Sequence, residues 1–279
     1  TKNFTSLKDK PISYATILKT EELQLVIKFP YLRRSFQKQN KAVSEIIGET
    51  LPNTAILAIS AISIALIIGL ILGILSAIYQ DSWLDKFIQV VSTLGMSVPS
   101  FFSAILFAWL FGFVLHEYTN LNMTGNLYEL DDFGEQKNLV LKNLLLPAVV
   151  LGIRPLAVVI QLMRNSILEE LSKDYVVTAK AKGLKLKQII IKHVFKNALN
   201  PVITAISGWF ASMLAGAVFV EIIFGWNGMG KLLVEALNTR DLPVTMGCVL
   251  VIAFVFVVLT TLVDVIYAIL DPRVRAEFF

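Results

Sequence analysis

Five long apolar stretches dominate the pattern of hydrophobic and polar positions along the chain. None of them alternates between apolar and polar residues, so the pattern favours helices over the strands of a membrane barrel. A helix needs about 20 apolar residues to cross a bilayer, and each stretch is long enough. The sequence therefore predicts an all-α integral membrane protein, a polytopic helical bundle with five spans at residues 54–78, 87–115, 144–163, 202–220 and 242–270.

Three polar or helix-breaking residues stand out within these spans. Pro99 interrupts the second stretch and predicts a bend there. Arg154 lies near the centre of the third stretch, where a charge is costly unless it meets a partner or water. One interpretation is that Arg154 faces a translocation path and meets substrate carboxylates. The alternatives are a helix-packing ion pair, or a shifted span in which Arg154 lies less deep than the pattern suggests. Asp264, near the end of the fifth stretch, is predicted to be structural. In the first stretch, Gly69 and Gly73 are spaced for close helix packing.

Composition agrees with a membrane protein, since 56% of the 279 residues are hydrophobic and 16% are charged. Soluble domains are about 45–50% apolar and about 25% charged. The net charge of +4 fits basic cytoplasmic loops better than a nucleic-acid surface, so we expect no nucleic-acid partner. One cysteine excludes an intrachain disulfide, and two histidines make a metal site an unfavourable interpretation. The sequence contains no nucleophile–base set that indicates an enzyme.

Basic residues predict the orientation of the spans. Residues 164–200 carry eight Lys or Arg, so this segment is predicted to be cytoplasmic. Alternation of sides then places the tail, residues 272–279, inside and residues 1–53 outside. The nine Lys or Arg in residues 1–53 conflict with an outside location. We therefore expect a sixth, N-terminal span upstream of this chain; the alternative is an inverted topology.

The stretch GWNGMGKL, residues 225–232, nearly matches the phosphate-binding loop G-x-x-x-x-G-K-[ST]. Leu232 replaces the hydroxyl residue that would bind Mg²⁺, and no strand precedes the stretch. The predicted topology also places it outside, away from cytoplasmic ATP. We predict a turn-rich loop without a nucleotide, in which Gly228 and Gly230 permit tight turns. Phe224 and Trp226 suit the lipid headgroup level, and Glu221 is expected to be structural.

The predicted cytoplasmic segment reads as two short helices that meet at Gly183, which can adopt a positive φ. The first covers about residues 167–182. The second covers about residues 187–199 and ends before Pro201. The residues alone leave two interpretations open: an amphipathic hairpin that rests on anionic lipid, or a docking surface for a partner protein.

The stretch DYVVTAKAKGLKLKQIIIKHVFKNALNP, residues 174–201, resembles the EAA loop of permeases from ATP-binding cassette (ABC) importers, most closely the oligopeptide/dipeptide/nickel branch. In the general loop pattern E-A-A-x-x-x-G, only Ala179 and Gly183 match. The peptide branch itself departs from the general pattern at such positions, so the mismatches favour that branch and do not exclude the family. The resemblance runs from about residue 31 to residue 275. Further segments that resemble the family, in the family's order, are VSEIIGETLPNT, LGMSVPSFF, NLLLPAVVLG, FVEIIFGWNGMGKLLVEALNTRDLPV and VDVIYAILDPRVR.

This resemblance implies an ABC type I importer transmembrane fold, with residues 54–271 as the permease domain. The chain would move di- or oligopeptides across a bacterial inner membrane by alternating access, with the loop at 164–200 and the C-terminus in the cytoplasm. Implied partners are a second homologous permease, two ABC ATPase subunits, an extracytoplasmic substrate-binding protein and the lipid bilayer. ATP and Mg²⁺ would bind to the ATPases, so we expect no cofactor and no enzyme activity in this chain.

The resemblance also implies which residues act. The ATPase-coupling helix would carry Asp174, Tyr175, Thr178, Ala179, Ala181, Lys182 and Gly183. Docking is expected mainly at Tyr175, Ala179, Ala181 and Gly183, and Arg154 is the candidate for the translocation path. Nickel import within the same family is one alternative. An ion-coupled secondary transporter is another, although such carriers usually need intramembrane acids or a broken-helix ion site.

Overall fold

The computed structural model describes residues 14–19, 24–28, 31–38, 41–130 and 137–270 of the chain. Its long helices are α1 (Val43–Ile78), α2 (Trp83–Ser97), α5 (Lys142–Leu171), α8 (Phe195–Gly216) and α11 (Leu242–Leu270). Shorter helices are α3 (Ser100–Trp109), α4 (His116–Thr119), α6 (Asp174–Ala181), α7 (Leu186–Ile189), α9 (Val218–Ile223) and α10 (Met229–Asn238). Two π-helical turns, Leu110–Val114 and Ile190–Val194, extend α3 and join α7 to α8.

Two antiparallel hairpins accompany the helices. Strands β1 (Tyr14–Lys19) and β2 (Gln24–Lys28) pair with each other, with a register shift between Thr16 and Leu18. Strands β3 (Tyr128–Leu130) and β4 (Lys137–Leu139) pair near the start of α5. The tail at 272–279 lies outside the described residues, as does the side chain of Asp264.

The polytopic helical membrane fold is confirmed. By length and composition, three helices of the described chain can cross a membrane: α1, α5 and α11 over Leu242–Leu262. The pair Trp83–Ser97 and Ser100–Val114 passes the same test together, with an angle of 108° between its halves. The predicted fourth stretch, residues 202–220, falls in α8 and α9, which are separated at Ala217. The count of five spans stays a prediction.

The first helix begins at Val43, well before the apolar run that was predicted from residue 54. Val43, Ile46 and Ile47 are buried together with residues of α10 and α11. Their spacing of three and four residues places them on one helical face, while the opposite face is polar. These turns lie outside the predicted apolar run because their pattern is amphipathic.

Pro99 divides the second predicted span more sharply than a bend. Val98 has an extended backbone, with φ −77° and ψ 131°, and α3 starts directly after Pro99. The helical conformation is disfavoured for a residue before proline, so α2 ends there. The result is two helices at 108° instead of one bent helix.

The helices predicted within residues 164–200 have different bounds in the structure. Residues 167–171 continue α5, and a break at Ser172 and Lys173 separates them from α6. The second helix does not end before Pro201, since α8 runs through it to Gly216. A proline inside a membrane helix is tolerated where neighbouring groups satisfy the backbone, and Pro52, Pro147 and Pro155 are also internal.

The close contact between α1 and α5 forms the centre of the bundle. A Cβ added at Gly69 would lie 2.7 Å from Val159 Cγ1, and one added at Gly73 would lie 2.8 Å from Met163 Cβ. The predicted close-packing role of this glycine pair is therefore confirmed. Small residues at these positions let the two backbones approach, which a membrane bundle needs because lipid provides no hydrophobic drive for helix association.

Candidate functional site

The helix α6 has a defined end at Gly183. Gly183 has a φ of +80°, its N–H donates to the carbonyl of Lys180 at 2.9 Å, and the N–H of Leu184 donates to Ala179 at 3.3 Å. These two bonds form a Schellman motif, which satisfies carbonyls that a helix end leaves free. The predicted positive φ of Gly183 is confirmed, and the turn after α6 is fixed by hydrogen bonds.

One face of α6 belongs to the bundle. Val176 and Ala179 are buried in an apolar cluster that α5, α7 and α8 also form. Ala179 is only 7% exposed, so its side chain faces the bundle, and its predicted part in docking stays a prediction. Its spacing of three residues from Val176 places both on the inward face.

The remaining predicted coupling residues lie at the surface. Tyr175 is 36% exposed, and Val177, which was not predicted, is 59% exposed. Exposed as well are Asp174, Thr178, Ala181, Lys182 and Gly183. The structure thus presents a short helix on a packed base, with a mixed polar and apolar outer face.

Sequence reasoning missed the role of Glu170, whose carboxylate ties α6 to the bundle. Oε1 pairs with Lys173 Nζ. Oε2 accepts from the Tyr175 hydroxyl at 2.5 Å and from Asn197 Nδ2 at 3.3 Å. Burial and the bond to Glu170 raise the pKa of Tyr175, which keeps its hydroxyl protonated and able to donate. A signal existed: Glu170 shares a helical face with the apolar Met163 and Ile167, where a carboxylate needs partners.

A second ionic contact joins α5 to the first turn of α2. Arg164 Nε lies 2.8 Å from Asp85 Oδ1, and Arg164 Nη2 lies 2.7 Å from Asp85 Oδ2. Asp85 also accepts from Ser76 and from the Asp81 N–H. A bidentate guanidinium–carboxylate contact fixes the relative orientation of the two side chains as well as their distance. Arg164, which entered the prediction only as a topology signal, therefore holds three helices together.

Arg154 lies on the wall of a cavity of about 120 Å³ between the α2–α3 break, α5 and α8. The side chain is exposed, and among the described side chains no carboxylate lies within ion-pairing distance of it. The predicted alternative of an ion pair is therefore not met within the described chain. Other polar or aromatic residues on this wall are Ser100, Ser103, Trp209 and Ser212.

The glycine-rich stretch encloses a carboxylate of the protein itself. Glu221 Oε2 accepts from the N–H groups of Gly230 at 2.8 Å and Lys231 at 3.0 Å, and Oε1 accepts from Thr54 Oγ1 at 2.7 Å. Anions are favoured at a helix N-terminus, and here the carboxylate occupies the start of α10. The complete burial of Glu221 agrees with the structural position that was predicted for it. Burial raises the pKa of the carboxyl, although the hydrogen bonds lower it in part.

Two predictions about this stretch need correction. Phe224 and Trp226 are buried inside the protein, so they do not face lipid headgroups, and Trp226 Nε1 donates to the Asn53 carbonyl at 3.1 Å. Positive φ occurs at Gly225, not at Gly228 or Gly230. Those two glycines instead leave room for neighbours, because a Cβ at Gly228 would lie 2.2 Å from Glu221 Oε1.

Asp241 connects the start of α11 with the segment that precedes α1. Its carboxylate accepts from the Ser35 hydroxyl, from the Phe36 N–H at 3.2 Å and from the Gln37 N–H at 3.3 Å. Burial opposes ionisation of Asp241, but these bonds outweigh it and the pKa lies below its usual value. The chain before α1 is therefore anchored to the start of α11.

The fold is that of the membrane-spanning domain of an ABC importer. An inward-facing structure of the MetNI methionine ABC transporter superposes with a TM-score of 0.65 at 13% identity, covering 82% of this chain and 97% of that one. An amino acid ABC transporter crystallised with histidines gives a TM-score of 0.59 at 14% identity, covering 81% and 94%. At such identities the likeness concerns the fold.

Sequence comparison gives the family. Residues 69–276 match the family described as binding-protein-dependent transport system inner membrane component, and the chain belongs to it. A putative peptide permease protein of Brucella suis is 38% identical over 244 residues, 88% of this chain and 75% of that protein. The dipeptide transport system permease protein DppB of Haemophilus influenzae is 38% identical over 255 residues, 86% and 76% of the two chains.

Proposed function

We propose that this chain is the permease subunit of an ABC importer for di- or oligopeptides. The names of its relatives support the peptide as cargo, and nickel is the alternative cargo within the branch. The observation that carries the mechanism is α6, a short helix with an exposed outer face, a packed inner face and a fixed end. Such a helix can transmit a displacement from an ATPase subunit to the spans, whereas a flexible loop would deform instead.

In this mechanism α6 sits on a cytoplasmic ATPase subunit. The complex contains a second permease, two ATPases and an extracytoplasmic binding protein. When the ATPases close on ATP, they displace α6, and α6 moves the helices that share its apolar cluster. The spans then alternate between an inward-open and an outward-open arrangement, so the energy comes from the partners. This chain binds neither ATP nor Mg²⁺ in the cycle.

Purification from the native membrane in mild detergent tests this assembly. We expect two ATPase subunits and a second permease to purify with the wild-type chain. Val177→Asp should lose the ATPases, because it places a charge on the exposed face of α6. Val177→Thr, which is similar in shape and uncharged, should keep them. Mass spectrometry of the purified material gives the composition.

Reconstitution of the same material in vesicles tests the cargo. The probe is a mixture of di- to pentapeptides, read by mass spectrometry of the vesicle lumen, with radioactive nickel in parallel. ATP-dependent entry of peptides supports the proposal, and entry of nickel alone replaces the cargo. A chain that purifies alone, with uptake that survives ATP depletion and collapses with the proton gradient, is a secondary carrier.

Arg154 is proposed to face the peptide during translocation and to attract its terminal carboxylate. We expect Arg154→Leu to assemble normally and to import peptides at least about ten-fold more slowly, the factor that corresponds to about 1.4 kcal/mol. Arg154→Lys keeps the charge and should retain part of the rate. A peptide amidated at its C-terminus lacks the carboxylate, so its uptake should respond less to Arg154→Leu. Failed assembly of Arg154→Leu would instead indicate a packing role.

A further inference from the structure

The carboxylate of Glu170 is the point where α6 and two long helices meet. Glu170 itself lies in the last turn of α5. Its oxygens accept from Tyr175 in α6, from Lys173 just before α6, and from Asn197 in α8. Glu170 is 8% exposed, whereas its three donor residues are exposed, so the donors reach a shielded carboxylate from the surface. A buried charge is stable only when it is paired and hydrogen-bonded, so the three donors hold the carboxylate in place.

The rest of the base of α6 is apolar. Val176 and Ala179 contact the cluster that contains Met163, Ile167 and Val194. Hydrophobic contacts are non-directional, so this surface alone would let α6 slide or turn while it stays buried. Hydrogen bonds to a charged group are directional and stronger than neutral ones. The bonds of Glu170 therefore fix the position of α6 along the two helices.

Tyr175 connects the Glu170 carboxylate to the outer face of α6. Its side chain is partly exposed, while its hydroxyl reaches inward to Glu170 Oε2 at 2.5 Å. A partner that presses on the exposed ring of Tyr175 acts directly on the Glu170 carboxylate. The carboxylate is in turn held by Asn197 of α8 at 3.3 Å. Two hydrogen bonds to the Glu170 carboxylate, one from Tyr175 and one from Asn197, thus connect the outer face of α6 to α8.

We propose that Glu170 is the positioning residue that makes α6 move together with α5 and α8, so that displacement of α6 by the motor is converted into movement of the spans. This inference rests on the proposed function as a motor-driven importer. Glu170 contacts neither cargo nor nucleotide in this scheme. Its contribution is the stiffness of the joint between α6 and the two helices.

The test compares Glu170→Ala with Glu169→Ala in the complete reconstituted complex. Both variants remove one carboxylate from adjacent positions, but Glu169 is exposed. The measured quantity is the amount of peptide imported per ATP hydrolysed, with the di- to pentapeptide mixture as probe. A residue that only supports folding would lower the amount of complex and both rates together, which leaves this ratio unchanged.

We expect Glu170→Ala to lower the ratio at least about five-fold, which corresponds to about 1 kcal/mol at 25 °C. Glu169→Ala should remain within a factor of about two. Equal ratios in the two variants would overturn the proposal. If Glu170→Ala does not assemble, Asn197→Ala removes only the α8 bond from an exposed residue, with its exposed neighbour Lys196→Ala as control. An unchanged ratio in Asn197→Ala would then overturn it.

The wild-type complex separates this inference from the proposed function. If the wild type hydrolyses ATP but imports no peptide, peptide import is contradicted regardless of Glu170. If the wild type imports peptides and both Glu170→Ala and Asn197→Ala keep its ratio, the importer stands and the positioning role of Glu170 is refuted.

Discussion

Gly183→Pro should leave the chain in the membrane and reduce ATP-driven peptide uptake by at least about ten-fold, the factor of 1.4 kcal/mol. Proline fixes φ near −65°, whereas Gly183 has a φ of +80°. Proline also lacks the N–H that donates to the Lys180 carbonyl, and it disfavours the turn conformation of the preceding Lys182, with φ −78° and ψ 5°. The end of α6 therefore has to rearrange, while the spans are untouched.

Gly183→Asn provides the matched control for this prediction. Asparagine tolerates positive φ and keeps its N–H, and a Cβ at position 183 meets nothing within 4 Å. Uptake by Gly183→Asn should stay near the wild-type level. Gly183→Ala should fall between the two, since the left-handed backbone costs alanine about 1–2 kcal/mol. Wild-type uptake by Gly183→Pro, measured at equal amounts of chain in the membrane, would refute the coupling role of this turn.

The sequence predicted the helical membrane fold because long apolar runs are a local property. It could not predict the start of α1, because residues 43–53 carry an amphipathic pattern that becomes meaningful only against α10 and α11. The same limit applied to Ala179. Its position in the motif was recognised, but which way it faces depends on the cluster that α5, α7 and α8 build beneath it.

The polar contacts were the least predictable part of the site. Glu170 meets Asn197, 27 positions away, and Asp85 meets Arg164, 79 positions away. One chain gives no signal for such pairs beyond the cost of placing a charge on an apolar face. The mechanical interpretation of residues 174–183 was drawn from a resemblance and stays a prediction, although the shape of α6 supports it. Arg154 could be identified from the local cost of a charge inside a span, whereas its cavity is formed by α2, α3, α5 and α8, which are far apart in the sequence.

The glycine-rich stretch binds an anion with its backbone N–H groups, as a phosphate-binding loop does, but the anion is not a nucleotide phosphate. These N–H groups lie at the start of a helix, where an anion is favoured. The anion here is the carboxylate of Glu221, and Thr54 of α1 provides a further donor. The contact joins α1, α9 and α10. We infer that this joint is important for the stability of the fold.

Gly228→Ala should therefore destabilise the protein. The effect should be larger than that of an alanine replacement at a glycine where an added Cβ meets no neighbouring atom. The added Cβ would lie 2.2 Å from Glu221 Oε1 and 2.3 Å from Cδ, and that carboxylate is fully buried. Overpacking costs about 1–3 kcal/mol, and a buried polar group that loses its partner costs about 1–3 kcal/mol more. The midpoint of thermal unfolding in detergent, followed by gel filtration of the remaining folded protein, should fall by several degrees.

Gly48→Ala is the matched control, since Gly48 lies in α1 and a Cβ there meets nothing within 4 Å. In a helix interior this change should leave the midpoint unchanged or raise it slightly. The double variant Gly228→Ala with Glu221→Asp distinguishes a clash from a general loss of structure. Aspartate withdraws the carboxylate by one methylene, so part of the lost stability should return. If the double variant is less stable than Gly228→Ala alone, steric pressure on Glu221 is not the cause of the destabilisation.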